Sequence, residues 1–259
     1  MALLHEYHLP TRFIGRPVRR YDVLESTNTL ALQLAGDPGH HGLVIWADWQ
    51  TAGRGRFGRR WFAAPGSAVL ISVVLFPPPR LQRPVIMTAW AAVAVCETVY
   101  LTTQRQPRIK WPNDVLLSGK KVCGILVEQS GGIVVGIGLN VTTPPQFFLE
   151  HNLANAASLA CFTDQPLDIT EVGQRLLERL DAGYVALVEG ELGEIESAWR
   201  WYGGLWGRDV QVTLTTGERC SGRLREWSFD GLILERDGEP RLLLPEEIAE
   251  IEPLSVPGG

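Results

Sequence analysis

Short apolar runs dominate the first half of the chain, and their period changes twice further on. Residues 42–47 (GLVIWA), 68–75 (AVLISVVL) and 133–137 (IVVGI) are rich in branched side chains and bounded by Gly or Pro, which predicts strands. Two helices are predicted between them. Ser26 or Thr27 caps a short one that ends at Leu34, and Pro84 opens a longer apolar one that ends near Leu101. Over residues 170–188, Leu176, Leu177, Leu180, Tyr184 and Leu187 fall on one side of a third helix, and a fourth is predicted over 192–201. Past Gly203-Gly204 the pattern becomes one of closely spaced hairpins. Residues 210–214, 219–227, 231–236 and 241–244 read as four or five short strands, with turns at Thr216-Gly217, Asp230-Gly231 and Asp237-Gly238. This predicts a small barrel and two domains, 1–204 and 205–259.

The length of 259 residues suits one large domain with one small one. Acidic residues number 29 against 24 Lys plus Arg, a net charge of −5, which argues against a protein that coats nucleic acid. A hydrophobic share of 45% with 20% charged residues excludes disorder throughout. Cys96, Cys123, Cys161 and Cys220 are far apart and form no C-x-x-C pair, against a zinc site or a disulfide framework. The first 20 residues carry no apolar leader pattern, and the apolar stretch 85–101 is short and contains Glu97. The expectation is a cytoplasmic protein without a membrane span.

Four segments bear chemistry. Residues 50–61 (QTAGRGRFGRRW) put four arginines within seven residues of an acidic chain, with Gly53, Gly55 and Gly58 among them. In an extended loop Arg54 and Arg56 point the same way, and their repulsion is relieved by an anion between them. Guanidinium groups suit phosphate and carboxylate because they donate in matched pairs. Residues 109–115 (IKWPNDV), with Asn113 favouring a bend, read either as one rigid element that delivers Lys110 and Asp114 to a site or as a simple turn with both at the surface. Downstream, Gly119 is expected at the first central position of a type II′ turn that places Asp114, Leu116 and Lys121 on one hairpin face. Gly124 follows, and a strand glycine marks close approach of another group. Cys123 reads as a small buried hydrophobe. Gly136-Ile137-Gly138-Leu139-Asn140 taken alone reads as a strand packed tightly on its neighbour, and Asn140 at its end has the donor and acceptor to meet a purine edge. Ser26-Thr27-Asn28 is a helix cap whose hydroxyls and free amides are ready donors.

In this order the segments resemble the biotin–protein ligases, by motif over residues 21–159 and more loosely over the C-terminal barrel. The resemblance implies an α+β fold related to class II aminoacyl-tRNA synthetases, with a mixed or antiparallel sheet, helices and a C-terminal SH3-like barrel. It implies two half-reactions: biotin and Mg-ATP give biotinyl-5′-adenylate, and a lysine of a biotin carboxyl carrier protein then takes the acyl group. By the same likeness Ser26, Thr27 and Gln50 hold the ring end of biotin, with Asn28 beside them. Arg54 and Arg56, with Gly53, close over the adenylate. Arg59 and Trp61 belong to the ATP side. Lys121 contacts the biotin carboxylate and the transferring phosphate, Gly124 lines the pocket, and Asn140 faces adenine. Lys110 and Asn113 complete the binding set. Asp114 is expected to accept the incoming lysine's proton or to hold Mg²⁺. Only about 20 residues precede Tyr21, fewer than a helix-turn-helix module needs, so no nucleic-acid role is expected, nor a membrane one. A homodimer stays open, because exposed strand edges are capped either by a second subunit or by a loop. Two rival readings also stay open: a lipoate or octanoate–protein ligase, and a noncatalytic biotin or nucleotide sensor.

Overall fold

A computed structural model describes residues 2–254; Met1 and residues 255–259, the outer ends of the two expected domains, lie outside the described residues. Eight strands form one sheet: β1 (Leu3–Tyr7), β2 (Val18–Leu24), β3 (Val44–Gln50), β4 (Ala68–Leu75), β5 (Pro107–Lys110), β6 (Asp114–Leu117), β7 (Lys120–Ser130) and β8 (Gly132–Asn140). Their order is β1-β2-β3-β4-β8-β7-β6-β5, and every pairing is antiparallel except β2 with β3. Five helices accompany them: α1 (Thr27–Leu34), α2 (Pro84–Thr103), α3 (Pro145–Glu150), α4 (Ile169–Glu189) and α5 (Leu192–Gly203).

The pleat sorts the central strands into two faces. Val69, Ile71, Val73 and Leu75 of β4, with Ile133, Val135, Ile137 and Leu139 of β8, join α2, α4 and α5 in the main core. The alternate positions face the other way, where Val74 and Val134 pack with α1 residues Ala31 and Ala35. Ser72, Gly136, Gly138 and Asn140 share that second face, and so does the candidate chemistry. Helix α2 is apolar all round because it is wrapped by α4, α5 and the sheet. It is long and apolar enough to cross a membrane, yet most of that span is buried inside the fold. Helix α4 carries the expected stripe, capped by Asp168 onto Glu171 N at 2.9 Å and ended by Gly190 at φ 101°.

The second sheet comprises β9 (Asp209–Leu214), β10 (Arg219–Trp227), β11 (Leu232–Arg236), β12 (Glu239–Leu243) and β13 (Ile248–Pro253), ordered β12-β11-β10-β9-β13 and antiparallel throughout. It is the small β unit that the hairpin pattern predicts. Trp199 of α5 binds it to the rest, with Trp227 edge-on at 5.0 Å and Phe229 stacked at 5.2 Å. Trp111 lies 5.6 Å from Trp199 and donates its indole N–H to Ile248 O at 3.2 Å.

Two local expectations are corrected. The β6–β7 turn has positive φ at both Ser118 (49°) and Gly119 (78°), so it is type I′ rather than type II′, and Leu117 pairs with Lys120. Moving the pairing by one residue on each strand preserves parity, so Asp114, Leu116 and Lys121 still share a face. The hydrophobic pattern also misses β1 and β2. Most β1 side chains are exposed, and β2 reads as mixed polar (VRRYDVL).

Candidate functional site

The second face of the sheet opens into a cavity of about 480 Å³, walled by the arginine loop, the start of α1, the β5–β6 turn and part of β13. Every site residue expected from sequence lines it except Gly53 and Asn140. Six cationic side chains line it (Arg54, Arg56, Arg59, Arg60, Lys110, Lys121) against two carboxylates, Asp114 and Glu250. In a chain of net charge −5 that is a concentrated positive field.

The floor consists of glycines where side chains must come close. A Cβ on Gly136 would stand 2.0 Å from Asn28 Oδ1, and one on Gly138 would stand 2.5 Å from the Trp61 ring. Gly124 is the third such position, 2.9 Å from the same ring. The tight-packing and ligand readings of Gly-Ile-Gly therefore coincide: the glycines seat the residues that form the wall. Strand β8 is paired on both sides and cannot move away. Gly136→Ala is accordingly expected to expel Asn28 and destabilise the fold by about 1–3 kcal/mol, read as a lower urea midpoint at unchanged slope.

At the α1 end, Ser26 and Thr27 are buried, and Thr27 N–H donates to Gln50 Oε1 at 2.7 Å. Gln50 arrives there because the parallel pairing of β2 and β3 sets it beside Leu24, just ahead of the helix. At the other end, a bulge in β7 decides the chemistry. Leu116 pairs with Lys121 but Val115 with Cys123, leaving Val122 as the extra residue. Strict alternation would put Lys121 and Gly124 on opposite faces; the bulge gives both to the cavity. Lys121 Nζ sits 2.7 Å from Asp114 Oδ1 and 5.7 Å from the centre of the Trp61 ring. Its backbone is held from the far side by Asn155 O and Ala157 N, at 2.8 and 3.0 Å. Val122 and Cys123 turn into the core, and burial pushes the Cys123 thiol up, as expected of a small hydrophobe.

The arginine loop differs from the extended segment expected. Gly55 N bonds Arg59 O at 2.8 Å, Trp61 N bonds Gly53 O at 2.9 Å, and Arg54 bridges Arg60 across a tight turn with Phe57 at φ 56°. Arg54 and Arg56 consequently take different partners, although both line the cavity. Arg54 Nη2 donates to Glu128 Oε1 at 2.6 Å. Arg56 Nη1 reaches Asn113 Oδ1 at 3.4 Å, and its guanidinium stacks on Phe57 at 4.9 Å. Burial pulls the Arg56 guanidinium below its ordinary value; Asp114 opposes that shift and Arg59 adds to it. It remains a charge at neutral pH, partly desolvated and aimed at the cavity. Gly53 shapes this loop without lining the cavity; a Cβ there would stand 2.6 Å from Trp61 O.

Three further expectations meet the geometry. Lys110 pairs across the hairpin with Asp114, but its ammonium is taken by Glu250 (2.7 Å) and Glu252 (3.3 Å) of β13, whose hydrogen bonds raise its pKa. Asn140 is buried outside the cavity lining; its amide donates to Ala157 O at 3.3 Å and its Oδ1 has no partner. Between Thr143 and Asn155, a segment for which residue types set no role, Phe148 is buried and Phe147 stacks on His151 at 4.0 Å, while Leu153 lines the cavity. A resident Mg²⁺ does not fit at Asp114, whose carboxylate already faces Lys121. No group of three or more His, Cys, Asp or Glu gathers to hold a metal among the described residues. Ser72 and Glu128 belong to the site's hydrogen bonding and carry no sequence motif; only their even spacing along predicted strands hints at a shared face.

The model of the Biotin/lipoate A/B protein ligase family matches residues 21–141. The chain is 33% identical over 244 residues to a bifunctional ligase/repressor of Bacillus subtilis, covering 92% of this chain and 72% of that protein. It is 35% identical over 229 residues to a biotin–[acetyl-CoA-carboxylase] ligase of Mycobacterium tuberculosis, covering 84% and 83%. Among solved structures, the biotin protein ligase of Aquifex aeolicus in complex with biotin and ATP superposes with a TM-score of 0.75 at 25% identity, over 92% of this chain and 99% of that one.

Proposed function

This chain belongs to the biotin protein ligases, and from that premise we propose that its cavity makes biotinyl-5′-adenylate from biotin and ATP and passes the acyl group to a lysine of a biotin carboxyl carrier domain. The reading rests on the concentration of six cations around a cavity whose far end offers neutral hydroxyls and amides. Attack of the biotin carboxylate on the α-phosphate brings two anions together and expels pyrophosphate. Fixed cations are therefore the main catalytic requirement. Lys121 supplies the charge nearest the reacting oxygens, with Arg54 and Arg56 on the phosphates and Arg59 and Trp61 on the nucleotide side. Ser26, Thr27 and Gln50 receive the ureido ring. Asn140, with its unpartnered Oδ1, is assigned to the adenine side. In the second step the carrier amine attacks the acyl carbonyl, AMP leaves, and Asp114 takes the ammonium proton. Mg²⁺ comes in on the nucleotide phosphates, and no step is assigned to an ion held by the protein.

We assign residues 1–204 to the catalytic domain and 205–259 to the C-terminal domain, and we place the protein in the cytoplasm with its ATP and carrier. Incubation with ATP, Mg²⁺, biotin and a carrier domain is expected to add one biotinyl group to one lysine, seen by mass spectrometry. Biotin-dependent ATP–pyrophosphate exchange should accompany it. Exchange that responds to lipoate and not to biotin would overturn the substrate, and no exchange with either acid would overturn the activity.

A further inference from the structure

A chain of hydrogen bonds runs from the start of α1 to the arginine loop by way of Ser72 and Glu128, which no motif singles out. Ser72 Oγ lies 2.6 Å from Asn28 Oδ1 and 2.7 Å from Thr27 Oγ1. An amide oxygen only accepts, so Ser72 donates to Asn28, while the Thr27 hydroxyl also lies 3.1 Å from Gln50 Oε1. Asn28 Nδ2 donates to Glu128 Oε2 at 2.9 Å, and Glu128 Oε1 accepts from Arg54 Nη2 at 2.6 Å. Donors therefore converge on the carboxylate from two sides, Asn28 from the buried side and Arg54 from its loop. Thr27, Asn28 and Ser72 are buried, whereas the Arg54 side chain is 42% exposed on its loop. Glu128 stands outside the cavity lining, between a fixed buried amide and a free arginine.

We propose that Glu128 is a positioning residue that orders the Arg54 guanidinium for the nucleotide, anchored through Asn28 and Ser72 to the start of α1. An arginine on an exposed loop samples many rotamers, and ordering it beforehand removes that cost from nucleotide binding. The pair occupies one amino group and leaves the other N–H groups of the guanidinium for a phosphate. The inference rests on the function proposed above.

Glu128→Gln tests it, because glutamine keeps the shape but offers one acceptor oxygen in place of two. The buried Asn28 amide retains that oxygen, since leaving it unpaired costs more than freeing a half-exposed arginine. In biotin-dependent pyrophosphate exchange the KM for ATP is expected to rise about fivefold, the size of a half-exposed ion pair. The Kd for biotin alone and the melting temperature should stay at wild-type values. In an Arg54→Ala background the same substitution should leave the KM for ATP where Arg54→Ala put it, because both act through one contact. A KM for ATP within twofold of wild type, or a further rise in the Arg54→Ala background, would overturn the role of Glu128. Wild-type protein that performs no biotin-dependent exchange would instead sink the function on which it rests.

Discussion

Lys121→Met is expected to lower biotin-dependent ATP–pyrophosphate exchange by about 10²–10³-fold, the usual effect of deleting one preorganised charge from a transition state. Its ammonium lies where the inner face of the sheet meets the arginine loop, held by Asp114 at 2.7 Å and set over the Trp61 ring. Methionine keeps the stem that packs against the indole and removes only the charge. The side chain is 36% exposed, so little stability is at stake and the melting temperature should stay close to wild type. Biotin binding by itself should weaken less than exchange, because the ring end is held at the other end of the cavity. Lys121→Arg should recover part of the rate: the charge returns, but a planar fork replaces a compact ammonium. Exchange within about fivefold of wild type in Lys121→Met would remove Lys121 from the chemical step.

The sequence made the strands and helices of the core legible because their burial is complete. All eight residues of β4 are buried, and the α4 stripe reads directly from its spacing. The two N-terminal strands stayed hidden because what fixes them is remote in sequence. Asp181 of α4, buried in the fold, accepts the backbone N–H groups of Arg12, Phe13 and Ile14 at 2.9, 2.7 and 2.8 Å, and no local pattern announces that anchor. In the site, residue types pointed to the right wall and the geometry within it had to come from the fold. The β7 bulge decides that Lys121 and Gly124 act together, and alternation alone assigns them to opposite faces. An extended arginine loop would aim Arg54 and Arg56 the same way, whereas the Arg54–Arg60 bridge folds it into a turn and sends Arg54 to Glu128. Lys110 was legible as a site cation, but its capture by Glu250 and Glu252 depends on β13 arriving from the other end of the chain.

Asp114→Asn is expected to slow acyl transfer from preformed biotinyl-5′-adenylate to a carrier domain by about 10²-fold, the lower end of what a general base contributes. Asparagine keeps an acceptor oxygen for Lys121, so the wall of the cavity should survive and adenylate formation should fall much less than transfer. Asp114 shares its face with Lys121 and stands opposite Gly124, over which the Trp61 ring closes. A carrier lysine arrives protonated at neutral pH and attacks only as the free amine. A carboxylate beside Lys121 both orients the ammonium and accepts its proton. Without it the amine must deprotonate in water, so transfer by the variant should climb with pH toward the lysine's own pKa and regain much of the lost rate there. Single-turnover transfer across a pH series measures both effects. Full transfer by Asp114→Asn at neutral pH would eliminate Asp114 as the base. A variant that loses adenylate formation and keeps transfer would reassign its carboxylate to the first half-reaction, beside the metal-bound phosphates.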